Sequence, residues 1–462
     1  MSIANKLTEA RSSVGGELVG QLKYAQILED TREWVIRHHR EDLNAIIDDE
    51  TAKEALHSHI FEYLINNVEL PDDEDISLLE DRIFQNMAGI TKFLRDLLSD
   101  PDVEDVGINA WNDIDVIYTS KGLVKSKEHF SSPEEALDIV KKMTRQGKHV
   151  VDGGKPIVDS YYQKGVRISA LVQPVVDEDV GVVCSIRKQT QSNITRDQLL
   201  AYGTATLEEL EFIEDCARYG VSLVFAGVTG SGKTTNIQFA ASAIPDDKRI
   251  FVIEETRELN LVKRDNSDRI INSVIHTQTR QSDDPALEIT ENDLSRKALR
   301  FTPRVIILAE IRGEEAYTVL KDAMTGHMIL TSLHAESARD AYYRLFCLCR
   351  ENVEARTFSD QMLCRMIASA FPIIVFQHQL ADGSRKIMEI VEAVGFEKEE
   401  IICNTLFSYE IMENVYDKNG MLIEIKGKNV KGKPVSNKIL EKFRYNGASE
   451  AVLKRYKDKE VN

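Results

Sequence analysis

A glycine-rich stretch that ends in lysine and threonine carries the strongest chemical signal in this sequence. The apolar run 221–226 leads into residues 227–234, which read GVTGSGKT and match the pattern G-x-x-x-x-G-K-[ST]. Glycines let the backbone curl so that successive N–H groups point at an anion, and the helix that follows aims its positive end at the same place. The spacing therefore predicts a P-loop, which binds the phosphates of a nucleotide.

The loop residues receive separate roles. Lys233 is predicted to reach the β- and γ-phosphates, and the hydroxyl of Thr234 is predicted to bind Mg²⁺. A P-loop alone leaves kinase, helicase, GTPase and transport ATPase open, so other stretches must decide between them. The predicted nucleotide-binding set is Gly227, Val228, Thr229, Gly230, Ser231, Gly232, Lys233, Thr234 and Thr235.

Carboxylates follow two further apolar runs. Glu254 and Glu255 end the first run, and Glu310 ends the second. Strand ends on the P-loop side of a parallel sheet face the nucleotide, so these groups are candidates for the Mg²⁺ shell or for orienting an attacking water. Thr234, Glu254 and Glu310 form the predicted metal set. The sequence leaves open whether Glu254, Glu255 or Glu258 faces the metal, and a solvated charge run is the alternative.

Two histidines bracket a third apolar run of the same predicted core. His327 precedes residues 328–333 and His334 follows them. A single histidine is more often structural than functional, but a pair around one strand of a P-loop core favours a functional role. Both are therefore placed in the candidate catalytic set with Glu254, Glu255 and Glu310.

These stretches together resemble the type II/type IV secretion ATPases of the GspE/PilT kind. IEETREL (253–259) looks like their Asp box, ILAEIRG (307–313) like their Walker B strand, and TGHMILTSLHAES (325–337) like their His box. Within that superfamily the pattern over about 86–410 is similar to the CpaF-like ATPases of Tad pili. Two positions depart from it, since Glu255 stands where Asp is usual and Ala309 where Gly is usual.

The resemblance implies a motor that hydrolyses ATP with Mg²⁺ as a homohexameric ring. Glu310 would orient the attacking water, and His327 and His334 would report the state of the γ-phosphate. ATP would lie between two domains near the next subunit, and Arg167 or Arg187 would act across that junction on the transferred phosphate. Structural ion pairs are the alternative for both arginines.

The resemblance also implies partners and a place of action. The motor would power pilus assembly or protein secretion with platform proteins of the inner membrane, as a peripheral protein at the cytoplasmic face. A conjugative type IV secretion ATPase is the alternative within the superfamily. A nucleic-acid translocase on the same core and a nucleotide-binding regulatory module without turnover are the alternatives from other classes, and the intact Glu310 argues against the module.

The composition and net charge of the chain argue against some of these functional classes. The chain has 462 residues and a formal net charge of −18, which argues against a protein that coats nucleic acid through phosphate contacts. Hence no direct nucleic-acid partner is expected. No apolar run is long enough to span a membrane, and MSIANKLTEARSS at the amino terminus lacks an apolar signal core. The six cysteines show no C-x-x-C spacing, which is typical of reduced thiols in a cytosolic protein.

The order of patterns predicts an α/β protein with a RecA-like P-loop core and a mainly parallel sheet. Apolar runs alternate with helical sequence from Val221 onward, as expected for a parallel sheet covered by helices on both faces. A smaller α+β domain on an antiparallel sheet precedes this core. The predicted parts are a helical extension (1–85), the α+β domain (86–190), a hinge linker (191–206), the ATPase core (207–410) and a lysine-rich, partly mobile tail (411–462).

Overall fold

The computed structural model describes residues 26–39, 50–68, 76–88, 90–119, 121–147, 149–163, 165–188, 194–280, 286–397 and 400–457. These residues belong to two compact units, Met1–Thr190 and Gln191–Asn462. The acidic segment 71–75 (PDDED), within the predicted helical extension, lies outside the described residues. The predicted linker at 191–206 falls at the start of the second unit, where 191–193 are also outside the description.

Helices form the first part of the first unit. Residues 26–38, Glu50–Asn67 and Ile76–Ala88 are helical and share a small core that includes Val35 and Ile60. A further short helix, Lys92–Ser99, leads into the sheet of this unit. The described parts of the predicted helical extension are therefore helical.

A six-stranded antiparallel sheet follows, in the order β3-β2-β1-β6-β5-β4. The helix Pro133–Gln146 lies against it, and the helix begins where the sequence indicates, because the side chain of Ser132 accepts a hydrogen bond from the backbone N–H of Glu135. Helix and sheet share one core, so the predicted α+β arrangement is present. The strands are β1 (Val103–Ala110), β2 (Asp113–Tyr118), β3 (Gly122–Lys125), β4 (Ile157–Gln163), β5 (Val166–Leu171) and β6 (Val183–Lys188).

A nine-stranded sheet organises the second unit, in the order β15-β14-β13-β12-β7-β11-β10-β8-β9. The six strands from β12 to β9 pair in parallel, and β12 to β15 pair antiparallel. The strands are β7 (Leu223–Ala226), β8 (Ile250–Glu254), β9 (Val274–Gln278), β10 (Val305–Leu308), β11 (Met328–Leu333), β12 (Ile373–Gln379), β13 (Arg385–Glu397), β14 (Glu400–Tyr416) and β15 (Leu422–Lys431).

Helices cover both faces of this sheet. Leu223 and Phe225 of β7 belong to the core on one face, while Val224 and Ala226 belong to the core on the other. A strand buried on both faces appears in the sequence as a nearly continuous apolar run, which predicts β7, β8, β10, β11 and β12. The parallel edge strand β9 is only partly buried, and the sequence does not predict it. None of the helices in the described residues is long and apolar enough to cross a membrane. The helices of this unit are Arg196–Ala201, Leu207–Arg218, Lys233–Ser242, Glu291–Ala298, Glu315–Met324, Ala338–Glu351, Asp360–Ala370, Asn437–Tyr445 and Glu450–Tyr456.

The prediction of a partly mobile tail over 411–462 is wrong for its described part. Strand β14 crosses the proposed boundary, and two helices close the chain. Ile439 and Phe443 are buried in the core of the second unit, and the hydroxyl of Tyr456 donates to Asp215 at 2.8 Å. Residues 411–457 are therefore an integral part of the second unit.

The lysines that suggested a solvated tail lie on an edge strand. Lys426, Lys428 and Lys431 are exposed on β15, which ends the nine-stranded sheet. Charged side chains on an edge strand block pairing with another chain. Lysine richness therefore reflects the position of β15 at the edge and not a lack of structure.

Candidate active site

The loop after β7 has the geometry that a P-loop requires. Gly230 and Gly232 adopt positive φ angles of 77° and 95°, a region that side chains disfavour. Gly232 caps the helix Lys233–Ser242, so the free N–H groups of its first turn face the loop. At Gly227 the reason for glycine is space, because a Cβ there would lie 2.3 Å from the carbonyl oxygen of Gln377.

Lys233 turns its ammonium group back into the loop. Its Nζ donates to the carbonyl oxygens of Gly227 at 3.0 Å and Val228 at 3.1 Å. The side chain is almost completely buried. The positive charge is thus held at the centre of the curled backbone, where the sequence predicts that it meets phosphates.

A chain of charged and polar groups extends from Lys233 across the carboxyl ends of β11, β10 and β8. Its Nζ lies 3.4 Å from Nδ1 of His334, and Nε2 of His334 lies 2.9 Å from Oε1 of Glu310. The other oxygen of Glu310 accepts from Arg312 at 2.8 Å, and Arg312 also donates to Glu255 at 2.7 Å. Residues from four separate stretches are therefore joined into one network.

The protonation states in this network follow from its contacts. Burial lowers the pKa of His334, and the charge of Lys233 lowers it further, although Glu310 opposes them. A lysine can only donate, so Nδ1 accepts and the proton of the neutral ring is on Nε2, facing Glu310. The hydrogen bond to Glu310 raises the pKa of Arg312. The site at neutral pH therefore pairs a neutral imidazole and a guanidinium with one carboxylate.

Glu254 is next in sequence to Glu255 of this network, but its side chain makes different contacts. It is 1% exposed, and its Oε1 accepts from the backbone N–H groups of Glu258 and Leu259, both at 2.9 Å. Its Oε2 lies 3.6 Å from Nδ1 of His276. One oxygen of Glu254 is thus committed to shaping the loop after β8, and Glu255 is the residue that joins Arg312.

The donor set suits Mg²⁺ held mainly by a nucleotide rather than by a protein cage. The only three-residue group of potential ligands found in the described part of the chain is His57, Glu80 and Asp81 of the first unit. Oε1 of Glu310 is buried and faces Nε2 of His334 at 2.9 Å, while Oε2 accepts from Arg312. Mg²⁺ commonly uses one or two protein oxygens plus phosphate oxygens and waters, so the hydroxyl of Thr234 and the carboxylate of Glu310 fit that need.

His327 is not part of the network. It precedes β11, whereas His334 follows it. The two residues therefore lie at opposite ends of this strand, about 23 Å apart at 3.3 Å per residue. Nδ1 of His327 contacts the hydroxyl of Thr325 at 2.9 Å and the carbonyl oxygen of Asp322 at 3.2 Å. Within its own chain, His327 closes the end of a helix and does not meet the P-loop.

The two candidate arginines are neighbours on the antiparallel sheet of the first unit. Arg167 on β5 lies opposite Arg187 on β6. Arg167 lies 3.8 Å from Asp159, and Arg187 pairs in register with Asp105 on β1. Both alternatives from the sequence stay open, and a role for either arginine in catalysis stays a prediction.

Two residues that contact the P-loop are absent from the site predicted from the sequence. Gln377 on β12 donates through Nε2 to the carbonyl oxygen of Ser231 at 2.8 Å, and Arg385 on β13 donates through Nε to that of Gly230 at 2.9 Å. A signal existed for each, because Gln377 is a polar residue within an apolar strand and Arg385 follows a tight turn. Neither signal indicates the P-loop without knowledge of the strand order.

Comparison with known proteins places most of the chain in one family. The family model described as "Type II/IV secretion system protein" matches residues 142–431. An uncharacterized protein of Methanocaldococcus jannaschii is 26% identical over 79% of this chain, and a second one over 59%. The chain spans 63% and 37% of the lengths of these two relatives.

The chain is also similar to a named type IV secretion protein and to two solved structures. Type IV secretion system protein VirB11 of Brucella suis is 26% identical over 64% of this chain and 87% of its own length. The structure of that VirB11 ATPase covers 65% of this chain and 92% of its own, with 25% identity and a TM-score of 0.34. The ATPase DotB of Legionella pneumophila covers 66% and 81%, with 21% identity and a TM-score of 0.44.

These matches do not test the finer resemblance to CpaF-like ATPases. The matched range, however, includes the P-loop and the network of Lys233, His334, Glu310, Arg312 and Glu255, together with both candidate arginines. By this match, the chain belongs to the type II/IV secretion system protein family.

Proposed function

We propose that this protein is an ATP-hydrolysing motor of a type II/IV secretion or pilus machine. The observation that carries the proposal is the continuous network from Lys233 to Glu255 at the P-loop edge of the sheet. It connects a phosphate-binding lysine with a carboxylate placed to polarise water. VirB11 and PtlH, which are named as type IV secretion proteins, are relatives of this chain and support the proposal.

Each residue of the network has a proposed task. The backbone of 227–235 and the ammonium of Lys233 hold the phosphates of ATP. Glu310 orients the attacking water, because its carboxylate lies at the P-loop end of the sheet beside His334. His334 and Arg312 keep that carboxylate in place, and Glu255 holds Arg312 from the far side.

Mg²⁺, when bound near Thr234 and Glu310, would neutralise charge on the phosphates. The hydroxyl of Thr234 lies in the first turn of the helix that starts at Lys233, so it is placed beside the loop. Glu254, part of the metal set expected from the sequence, is proposed instead to shape the loop that carries Glu255, because its Oε1 holds two backbone N–H groups.

The test of this function compares the wild type with Lys233→Ala. The full chain should hydrolyse ATP in the presence of Mg²⁺, and the variant should lose both tight nucleotide binding and turnover, since it lacks the ammonium at the loop. Lys248→Ala, which removes an exposed lysine paired with Asp247, is the matched control and should retain activity. Normal turnover in Lys233→Ala would overturn the proposal.

The finer proposal is a homohexameric ring, with Arg167 or Arg187 acting on the nucleotide of the neighbouring subunit. Its Ala variant should then be inactive alone but should regain part of its activity when mixed with Lys233→Ala. Mixed rings contain junctions in which an intact P-loop meets an intact arginine. A tagged pull-down must first establish subunit exchange. Given exchange, no recovery for either arginine would exclude both, and sedimentation with a non-hydrolysable ATP analogue that shows only monomers would exclude the ring.

The machine that the motor serves is the finer part of the proposal. Work at the cytoplasmic face of the membrane with platform proteins of a pilus fits the resemblance to CpaF-like ATPases. The names of the type IV secretion relatives favour the conjugative alternative equally. Co-purification from membranes with a pilus platform protein would support the first reading, and co-purification with a coupling protein would support the second.

A further inference from the structure

Two consecutive carbonyl groups of the P-loop are held from the side by β12 and β13. Nε of Arg385 donates to the carbonyl oxygen of Gly230 at 2.9 Å. Nε2 of Gln377 donates to that of Ser231 at 2.8 Å. The loop is thus restrained by side chains about 150 residues later in the sequence. They lie on β12, which is next to β7 in the sheet, and on β13, which is next to β12.

These bonds determine which way the loop N–H groups point. A trans peptide is planar, with its carbonyl and its N–H on opposite sides. Holding the Gly230 carbonyl toward Arg385 turns the N–H of Ser231 to the other side, where it contacts the carbonyl oxygen of Val228 at 3.3 Å. Holding the Ser231 carbonyl toward Gln377 likewise turns the N–H of Gly232 away from β12. The N–H of Gly232 is one of the donors that a P-loop offers to phosphates. The N–H of Ser231 instead stabilises the curl of the loop through Val228.

Gln377 is itself held without freedom to turn. It is 1% exposed, and its Oε1 accepts from the side-chain amide of Asn236, in the helix that follows the P-loop. An amide has a donor side and an acceptor side, so the bond from Asn236 fixes Nε2 toward Ser231. The backbone of Gln377 also approaches Gly227 so closely that no side chain fits there.

Arg385 is positioned by the turn that precedes it. Oδ1 of Asp382 accepts from the backbone N–H of Ser384 at 3.0 Å, and Oδ2 accepts from that of Ile425 on β15 at 2.6 Å. Burial acts to raise the pKa of Asp382, but a hydrogen bond from the hydroxyl of Ser384, together with the two backbone bonds, holds it below its usual value. The ionised carboxylate therefore ties the turn to the edge of the sheet and presents Arg385 to the loop.

We infer that Arg385 and Gln377 are positioning residues that orient the P-loop amides for the phosphates of the nucleotide. The inference rests on the proposed function, because it takes the loop to be a phosphate site. Arg385 acts through the carbonyl of Gly230 and not through charge on the nucleotide. The structure also supplies a matched control, since the neighbouring Lys386 donates to the carbonyl oxygen of Gly203, outside the P-loop.

The experiment measures MgADP affinity by calorimetry and ATPase kinetics for the full-length chain. Arg385→Met keeps the aliphatic stem and removes the donor, so MgADP affinity should fall about 10-fold and KM for ATP should rise to match, on the scale of one hydrogen bond to a charged group. The value of kcat should stay within about threefold. Lys386→Met removes an adjacent cation and should leave both quantities unchanged.

Arg385→Lys separates position from charge. Lysine keeps the charge but has no N–H at the Nε position, so it should restore little of the lost affinity. Gln377→Glu, which replaces the donor by an acceptor, should weaken MgADP binding as Arg385→Met does and serves if that variant does not fold. Full affinity in Arg385→Met, full rescue by Arg385→Lys, or an equal loss in Lys386→Met would each overturn the inference. A wild type that binds no MgADP would overturn the proposed function instead.

Discussion

The two ends of β11 carry the same residue type in different surroundings. His334, at the carboxyl end, lies between Lys233 and Glu310. His327, at the amino end, contacts Thr325 and the backbone of its preceding helix. The two residues are seven positions apart and share one strand, yet only one of them reaches the candidate site.

This difference shows that the candidate functional side chains of a parallel sheet lie at the carboxyl ends of its strands. All six parallel strands run in the same direction, so the loops after β7, β8, β10 and β11 meet at one edge of the sheet. Lys233, Glu255, Glu310 and His334 all follow strands, and His327 precedes one. Position relative to strand direction, and not residue type, therefore separates the two histidines.

Among the carboxylate and histidine variants, replacement of Glu310 should reduce turnover the most. Glu310→Gln keeps the size and loses the charge, so MgATP should still bind while kcat falls at least about 100-fold, the scale of a positioned acid–base group. Single-turnover kinetics with a separate binding measurement separates the two effects. If nucleotide affinity collapses instead, Glu310 is structural.

Glu254→Gln is the matched control for Glu310→Gln, because it makes the same substitution at the carboxylate that ends β8. The amide oxygen can still accept from the backbone N–H groups of Glu258 and Leu259, so the loop after β8 should keep its shape. We expect a loss of kcat of less than about 10-fold, because Glu254 shapes a loop and does not polarise water. A loss as large as that of Glu310→Gln would restore Glu254 as a catalytic group.

The histidine pair provides the next test. His334→Asn removes the contact between Lys233 and Glu310, so kcat should fall about 10-fold, on the scale of one hydrogen bond to charged groups. His327→Asn should change kcat by less than about twofold, since the contacts of His327 are confined to the end of a helix. We expect this result both for free subunits and for rings. Equal losses in both variants would show that His327 reaches a site outside its own chain.

The smallest expected effect concerns acid stability. The pKa of His334 is lowered in the folded state, so the unfolded chain binds a proton more readily below about pH 6.5. Its contribution to the free energy of unfolding is therefore present above that pH and is lost as the pH falls through the folded value. Urea unfolding should show that the free energy of unfolding falls less between pH 7 and pH 5.5 in His334→Asn than in the wild type. An unchanged difference would contradict the neutral state of His334.

Much of the fold could be predicted because its strands are buried on both faces. The runs at Ile250–Glu254 and Met328–Leu333 are mostly apolar, and the structure places a fully buried parallel strand at each. The capping boxes at Thr195 and Thr206 also start helices, as their spacing predicts. Local chemistry was sufficient in each case, since a cap or an apolar run depends on neighbours within a few residues.

The antiparallel part of the second sheet could not be predicted in the same way. Strands β13 to β15 are polar on much of their surface, and β15 carries the exposed lysines of an edge. Such strands lack the continuous apolar signal, so the sequence predicts a tail from residue 411 onward. The helices that close the chain have buried residues at helical spacing, Ile439 and Phe443, but their partner surface is formed by distant elements.

Residue types at short spacing were enough to predict the P-loop, the carboxylates at strand ends and the family. Which of those residues contact one another followed only from the folded chain. It joined Glu255 to Glu310 through Arg312, turned Glu254 toward the backbone, separated His327 from His334, and brought Arg385 to Gly230. The physical reason is that strand order and direction determine which loops share an edge, and neither is written in any local stretch of sequence.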